Sequence, residues 1–204
     1  LRERYGLGDA PVALLYTRFF EYAVERGWAI LRGVLEHQPY VRWLVVGKGL
    51  FGEEQQLMEL ARGEGLETRI TYAGWVLPEE LPAHFALADV AIYPFDDTLV
   101  NRCKCAVKLI DLLSAGVPVV ADRVGQNSEY IEHGVSGLLE SPGDTPAFVA
   151  AVMRVLRDAN LAKQLGRGAS ERIQEHYRWE RLATIAEKAY GHPATQMLDS
   201  PPQP

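Results

Sequence analysis

The residues best suited by type and spacing to do chemistry lie in one stretch, positions 93–118. It leaves an apolar strand at Tyr93, crosses a polar segment of about ten residues, and enters a helical pattern near Lys104 that carries Lys108 and Asp111. A helix starting there exposes unpaired backbone N–H groups, and such ends hold phosphates. Arg102, Lys104 and Lys108 gather positive charge around that end in a chain whose formal charge is -6. Asp111, one to two turns in, is short enough to accept from ribose hydroxyls. Its competing reading is a helix-surface carboxylate paired with Lys108 or Lys104.

Arg18, just after the first apolar run, is the next candidate. A guanidinium there can grip phosphate bidentately, and a surface ion pair with Glu21 or Glu25 is the alternative. Arg26, within Glu25-Arg26-Gly27, is balanced between the same two readings. Gly47-Lys48-Gly49-Leu50-Phe51-Gly52 matches the G-x-G-x-x-G dinucleotide fingerprint. A nicotinamide or flavin site also needs an acid at the end of the following strand, but that strand ends Ala73-Gly74-Trp75-Val76 and Glu67 lies at its other end. Those glycines then read as a tight turn beside a nucleotide site. Cys103 and Cys105 would have lowered pKa values at a helix start beside Arg102 and Lys104. With no histidine near them to act as a base, they read as small packing residues. The 5 histidines form no i,i+4 pair, which argues against a metal site, and neither a G-x-x-x-x-G-K-[ST] loop nor a G-x-S-x-G elbow occurs.

The elements that must position these groups are read from hydrophobic pattern. Short runs rich in Val, Ile and Leu predict strands over 12–16, 41–46, 69–73, 90–93, 118–121 and 137–139. Amphipathic stretches between them predict helices over 22–37, 53–64, 79–86, 106–115 and 128–133. Strict alternation without hairpin signals implies an α/β fold, a doubly wound parallel sheet of about six strands, Rossmann-like, with right-handed crossovers. Helices alone come after it, over 145–157, 161–177 and 179–190, with Asp144 as N-cap and Pro146 in the first turn. In such sheets ligands bind at the carboxyl ends of the strands where strand order reverses. The stretch 11–190 therefore reads as one nucleotide-binding domain, 1–10 as the remnant of an interdomain linker in an excised segment, and 191–204, with four prolines, as a disordered tail.

Composition narrows the partners. An acidic chain with a pI near 5.4 argues against a nucleic-acid backbone. No run approaches the roughly 20 apolar residues of a membrane span, and two cysteines cannot frame a disulfide scaffold, so a reducing cytoplasm is expected.

Taken in order, these residues resemble the C-terminal, donor-binding half of a retaining nucleotide-sugar glycosyltransferase of the GT-B architecture. The resemblance runs over about 12–190 and rests on Thr17-Arg18 with Glu25-Arg26-Gly27, Val46-Gly47-x-Gly49, Ala73-Gly74-Trp75-Val76 and Ala88-Asp89-Val90. It continues through Lys108-Leu109-Ile110-Asp111, Ala115-Gly116-x-Pro118-Val119-Val120 and Gly125-x-x-x-Glu129 to Gly137-Leu138-Leu139. The resemblance implies that Arg18 and Arg26 hold the donor diphosphate and are the catalytic cations. It also implies that Gly47 and Gly49 line the site, the backbone of Trp75 and Val76 meets the nucleobase, Asp111 binds the ribose, and amides near Ala106 and Val107 bind phosphate beside Lys108. At the position eight before the ribose acid, where the family pattern has a glutamate for the donor sugar, this chain has Cys103. The activity implied by the resemblance is sugar transfer from a UDP- or GDP-type donor without metal or other cofactor. Acceptor groups would come from an N-terminal domain, and any peripheral membrane attachment would depend on that half. A nicotinamide-dependent oxidoreductase fragment and a non-catalytic nucleotide-binding module are the two alternatives.

Overall fold

The structure, a computed structural model, describes residues 1–190, so the proline-rich tail lies outside the described residues. Six parallel strands form one sheet: β1 (Val12–Tyr16), β2 (Arg42–Val46), β3 (Ile70–Gly74), β4 (Val90–Tyr93), β5 (Val119–Asp122) and β6 (Leu138–Glu140), in spatial order β3-β2-β1-β4-β5-β6. This is the expected doubly wound α/β fold. Strand order reverses between β1 and β4, which pair in register from Ala13 with Val90 to Leu15 with Ile92.

Burial on both faces explains the nearly continuous apolar strands. Ala13, Leu15, Trp43, Val45 and Ile92 face one layer, made by α1 (Val24–His37), α2 (Glu53–Gly63) and α7 (Thr145–Arg157). Their sequence neighbours Val12, Leu14, Leu44, Val46, Ala91 and Tyr93 face the other, made by α3 (Leu81–Phe85), α5 (Val107–Ser114) and α8 (Ala159–His176). Asp144 caps α7, its Oδ1 accepting from the Ala147 amide at 2.9 Å, and Pro146 sits in the first turn as its fixed φ favours. Two short helices, α4 (Leu99–Cys103) and α6 (Asn127–Tyr130), α9 (Trp179–Tyr190) and two 3-10 turns, Glu67–Arg69 and Pro78–Glu80, complete the described chain. Residues ahead of β1 pack onto the domain: Leu7 is buried, and the Tyr5 hydroxyl lies 2.8 Å from His84 Nε2.

The main departure from the sequence pattern is α4, a helical turn inside the segment expected to be irregular. After a break over 104–106, α5 starts at Val107, within the stretch 106–115 expected to be helical and just past the start near Lys104. Thr98 caps the first turn through its hydroxyl, and the Asn101 side chain donates to the Glu21 and Asp96 carbonyls at 2.7 and 2.8 Å. A five-residue turn leaves too little periodicity to read.

Candidate active site

The β1–α1 loop builds the first wall. Thr17 hydrogen-bonds back to β2 through its amide, and its Oγ1 accepts from the Phe19 amide at 2.8 Å. Phe19, buried, is held at φ 69, a left-handed conformation that costs a bulky L-residue roughly 1–2 kcal/mol. That reversal sends Arg18 and Phe20 outward on the crevice side while Phe19 stays in the core. The Arg18 guanidinium carbon lies 5.8 Å from the Trp75 ring and 5.9 Å from the Phe20 ring, and its buried Nε has no hydrogen-bond partner among the described residues.

The second wall comes from the β4–α5 connection. Lys104 places its Nζ 3.8 Å from the Phe20 ring centroid and 2.6 Å from Glu21 Oε1. Lys108, in the first turn of α5, puts its Nζ 5.0 Å from the Tyr16 ring. Burial holds the Lys108 ammonium below its ordinary pKa of 10.5, with Arg18 and Lys104 adding to that pull while Glu21 and Asp111 oppose it. Three cations thus converge on the carboxyl edge of β1 and β4. The amides that open α5 meet no side-chain cap, since Ala106 occupies the N-cap, so helix polarity adds to the same positive field. Asp111 is half-buried beside Lys108; burial raises its carboxyl above 3.8, and Lys108 pulls it back. Tyr16 is pushed up to about 12, first by burial and then by Asp111, which keeps its hydroxyl neutral and able to donate.

Between the walls a cavity of 120 Å³ is lined by Tyr16, Gly47, Trp75, Val76 and Lys108. Gly47 is required here: at φ 120, a Cβ would stand 1.9 Å from the Thr17 carbonyl oxygen. Gly47→Ala is therefore expected to push the β1–α1 loop outward, lowering the thermal midpoint and weakening nucleotide binding together. A midpoint equal to wild type would contradict that contact. A larger cavity of 610 Å³ lies at the opposite, amino edge of the sheet, bounded by Arg2, Ala88, Gly116 and Pro118. Its size does not make it the site: it lies at the amino ends of the strands, away from the carboxyl edge where such sheets bind ligands, and of the cations that line it Arg2 is tied to the Gly8 and Ala10 carbonyls while Lys163 and Arg167 come from α8.

Several of the expected residues have partners that their spacing does not show. Arg26 does not face the crevice as a free cation: its Nη1 and Nη2 donate to the two Asp122 oxygens at 2.9 and 2.7 Å, and Nη1 lies 3.3 Å from Asp96. These two carboxylates compete with a diphosphate for Arg26, as Glu21 does for Lys104. Arg102 is exposed and paired with Asp97. Cys103 and Cys105 are both exposed, and Cys105 Sγ sits 3.7 Å from the Tyr130 hydroxyl. Gly49 is buried, but its amide donates to Glu54 Oε2 at 3.0 Å, and the Phe51 amide donates to Glu53 Oε2 at 2.8 Å. Those carboxylates occupy the donors that a dinucleotide pyrophosphate would need, and their charge repels it. Phe20 and Tyr16 line the crevice without standing out in the sequence, although an aromatic ending a central strand is a readable signal for the second of them. Among the described residues no group of three His, Cys, Asp or Glu is arranged to hold a metal ion, and no helix is long and apolar enough to cross a membrane.

Comparison with known proteins gives the chain a family and the fold its neighbours. The chain is 30% identical over 198 residues to a GDP-mannose-dependent alpha-(1-6)-phosphatidylinositol monomannoside mannosyltransferase of Mycolicibacterium smegmatis, covering 94% of this chain and 50% of that protein. It is 24% identical over 192 residues to an N-acetyl-alpha-D-glucosaminyl L-malate synthase of Bacillus anthracis, covering 93% and 48%. The chain thus spans about half the length of these relatives. The sucrose-phosphate synthase structure from Thermosynechococcus elongatus superposes with a TM-score of 0.74 at 27% identity, covering 93% of this chain and 47% of that one. An Anabaena protein in complex with UDP superposes at 0.73 and 22% identity, covering 93% and 51%, a likeness of fold. Residues 20–158 match the model of the family glycosyl transferases group 1, and the chain belongs to that family.

Proposed function

We propose that this chain is the donor-binding half of a retaining glycosyltransferase, taking a sugar from a UDP- or GDP-type nucleotide sugar and passing it to an acceptor held by a separate N-terminal domain. The observation that supports this most is the convergence of Arg18, Lys104 and Lys108 with the uncapped start of α5 at the strand-order reversal. In this reading the nucleobase enters the cavity by Trp75 and Val76, the ribose meets Asp111, and the diphosphate lies among the three cations. When the bond from the anomeric carbon to the diphosphate breaks, negative charge grows on the leaving oxygen and positive charge on the sugar ring. Fixed cations and amides aimed at that oxygen stabilise the transition state more than the ground state. They supply the charge compensation without calling on a metal ion. Relatives of about twice this length support the second half as the source of acceptor contacts. A cytoplasmic location belongs to the same proposal.

Thermal unfolding against UDP, GDP, ADP and NAD at millimolar concentration tests it. A ligand at 100 times its dissociation constant adds about 2.7 kcal/mol, which raises the midpoint of a chain this size by roughly 5–10 °C. The expected result is a shift with UDP or GDP and none with NAD. A shift with NAD alone would restore the oxidoreductase reading, and none with any nucleoside diphosphate would favour a non-catalytic module.

A further inference from the structure

We propose that Glu21 receives the sugar portion of the donor, its carboxylate accepting a hydrogen bond from a sugar hydroxyl and so setting the preference for a nucleotide sugar over the bare nucleotide. The inference rests on the donor-site reading above. Glutamates are almost never this buried unless fully paired, yet Glu21 is 5% exposed and only half satisfied. Its Oε1 holds Lys104, while Oε2 has no hydrogen-bond partner among the described residues.

The backbone clamps this residue across the point where strand order reverses. The Glu21 carbonyl accepts from Asn101 Nδ2 at 2.7 Å and from the Asp96 amide at 2.9 Å, joining the loop after β1 to the loop after β4. Strain at Phe19, two residues earlier, shows that the surrounding structure fixes this loop. Glu21 lines a void of 10 Å³ with Tyr16, Thr17, Tyr22 and Tyr93, adjoining the crevice through Tyr16 and Thr17 and with room for about one water or one hydroxyl oxygen; the Tyr22 hydroxyl, like Oε2, has no partner among the described residues.

Lys104 forms the roof. Its side chain is 24% exposed and touches the crevice, so it faces Glu21 on one side and an incoming diphosphate on the other. A diphosphate among Arg18, Lys104 and Lys108 competes with Glu21 for this ammonium. As Lys104 turns to phosphate, the carboxylate loses its partner and needs a new donor. A phosphate oxygen would be repelled, whereas a neutral hydroxyl on the group attached to the diphosphate satisfies it. That requirement selects the glycosylated nucleotide.

The test measures dissociation constants by calorimetry for UDP, GDP, UDP-glucose and GDP-mannose on the wild-type chain, Glu21→Gln and Glu21→Asp. In Glu21→Gln the ratio of nucleotide-sugar to nucleotide dissociation constants is expected to rise about tenfold, with nucleoside diphosphate affinity held within about threefold. Glu21→Asp, which keeps the charge but withdraws it by one methylene, is expected to fall between the two and supplies the reading should the Gln variant fail to fold. An unchanged ratio with intact diphosphate binding would overturn the role of Glu21 and leave the donor site standing. Equal loss of both ligands would reduce Glu21 to a structural clamp and overturn it as well. Failure of the wild-type chain to bind any of the four would remove the donor site and this inference with it.

Discussion

Arg18→Ala is expected to weaken nucleoside diphosphate binding by about 10- to 100-fold while leaving the thermal midpoint of the unliganded chain unchanged. Arg26 and Lys104 have internal partners, Asp122 and Asp96 for the first and Glu21 for the second, while Lys108 rests against the Tyr16 ring. Arg18 has none among the described residues; it rests on the Trp75 and Phe20 rings with its Nε unpartnered. A guanidinium held this way is already partly dehydrated and aimed, so a phosphate gains charge-assisted hydrogen bonds at little ordering cost. Because Arg18 gives the folded chain no hydrogen bond, its removal takes away binding and little else. Arg18→Lys keeps the charge without the planar fork and is expected to recover part of the loss. Calorimetric titration with UDP and GDP measures it, and wild-type affinity in Arg18→Ala would place the diphosphate elsewhere.

The second large effect concerns stability. Asp122→Ala is expected to destabilise the chain by about 3–5 kcal/mol, lowering the midpoint by roughly 6–20 °C. Asp122 is fully buried and accepts both Arg26 nitrogens and the Phe95 amide, the last at 2.7 Å. Burial pushes its carboxyl above the ordinary range, against the pull of Arg26 and the Phe95 amide. For Arg26 burial acts downward, but the two carboxylates outweigh it and its pKa is raised. Deleting the carboxylate strands a buried guanidinium and a buried amide, which costs more than the pair itself contributes. The double variant Asp122→Ala with Arg26→Met is therefore expected to be more stable than the sum of the single losses predicts. Strict additivity in a denaturant titration would show that the two side chains do not act as a unit. Since this pair ties the start of α1 to the ends of β4 and β5, its loss should loosen the crevice too.

Much of the fold is legible in the sequence because burial on both faces leaves a signature in the strands themselves. β1, β2, β4 and β5 stand out as apolar runs, and the alternation with amphipathic helices forces a parallel sheet. That logic places Arg18 and the start of α5 at one edge from pattern alone. Pairing across the sheet is what the sequence does not display. Arg26 and Asp122 are 96 positions apart, and only the packing of α1 against the end of β5 reveals that they neutralise each other. By spacing, Glu21 is a surface partner for Arg18; the left-handed turn at Phe19 instead turns it inward to Lys104. The glycine-rich turn misleads for a related reason, because Glu53 and Glu54 fold back to fill its amides. Local spacing names the groups, and long-range contacts decide which of them keep a charge to offer.

Amide chemical-shift mapping of the chain titrated with UDP and with GDP tests the central claim most directly. Binding at the reversal of strand order is expected to move the amides of Thr17, Arg18, Val76, Val107 and Lys108, with little change at Gly49, Phe51 or Gly116. Shifts centred on Gly49 and Phe51, or on the amino edge around Gly116, would contradict the site described here.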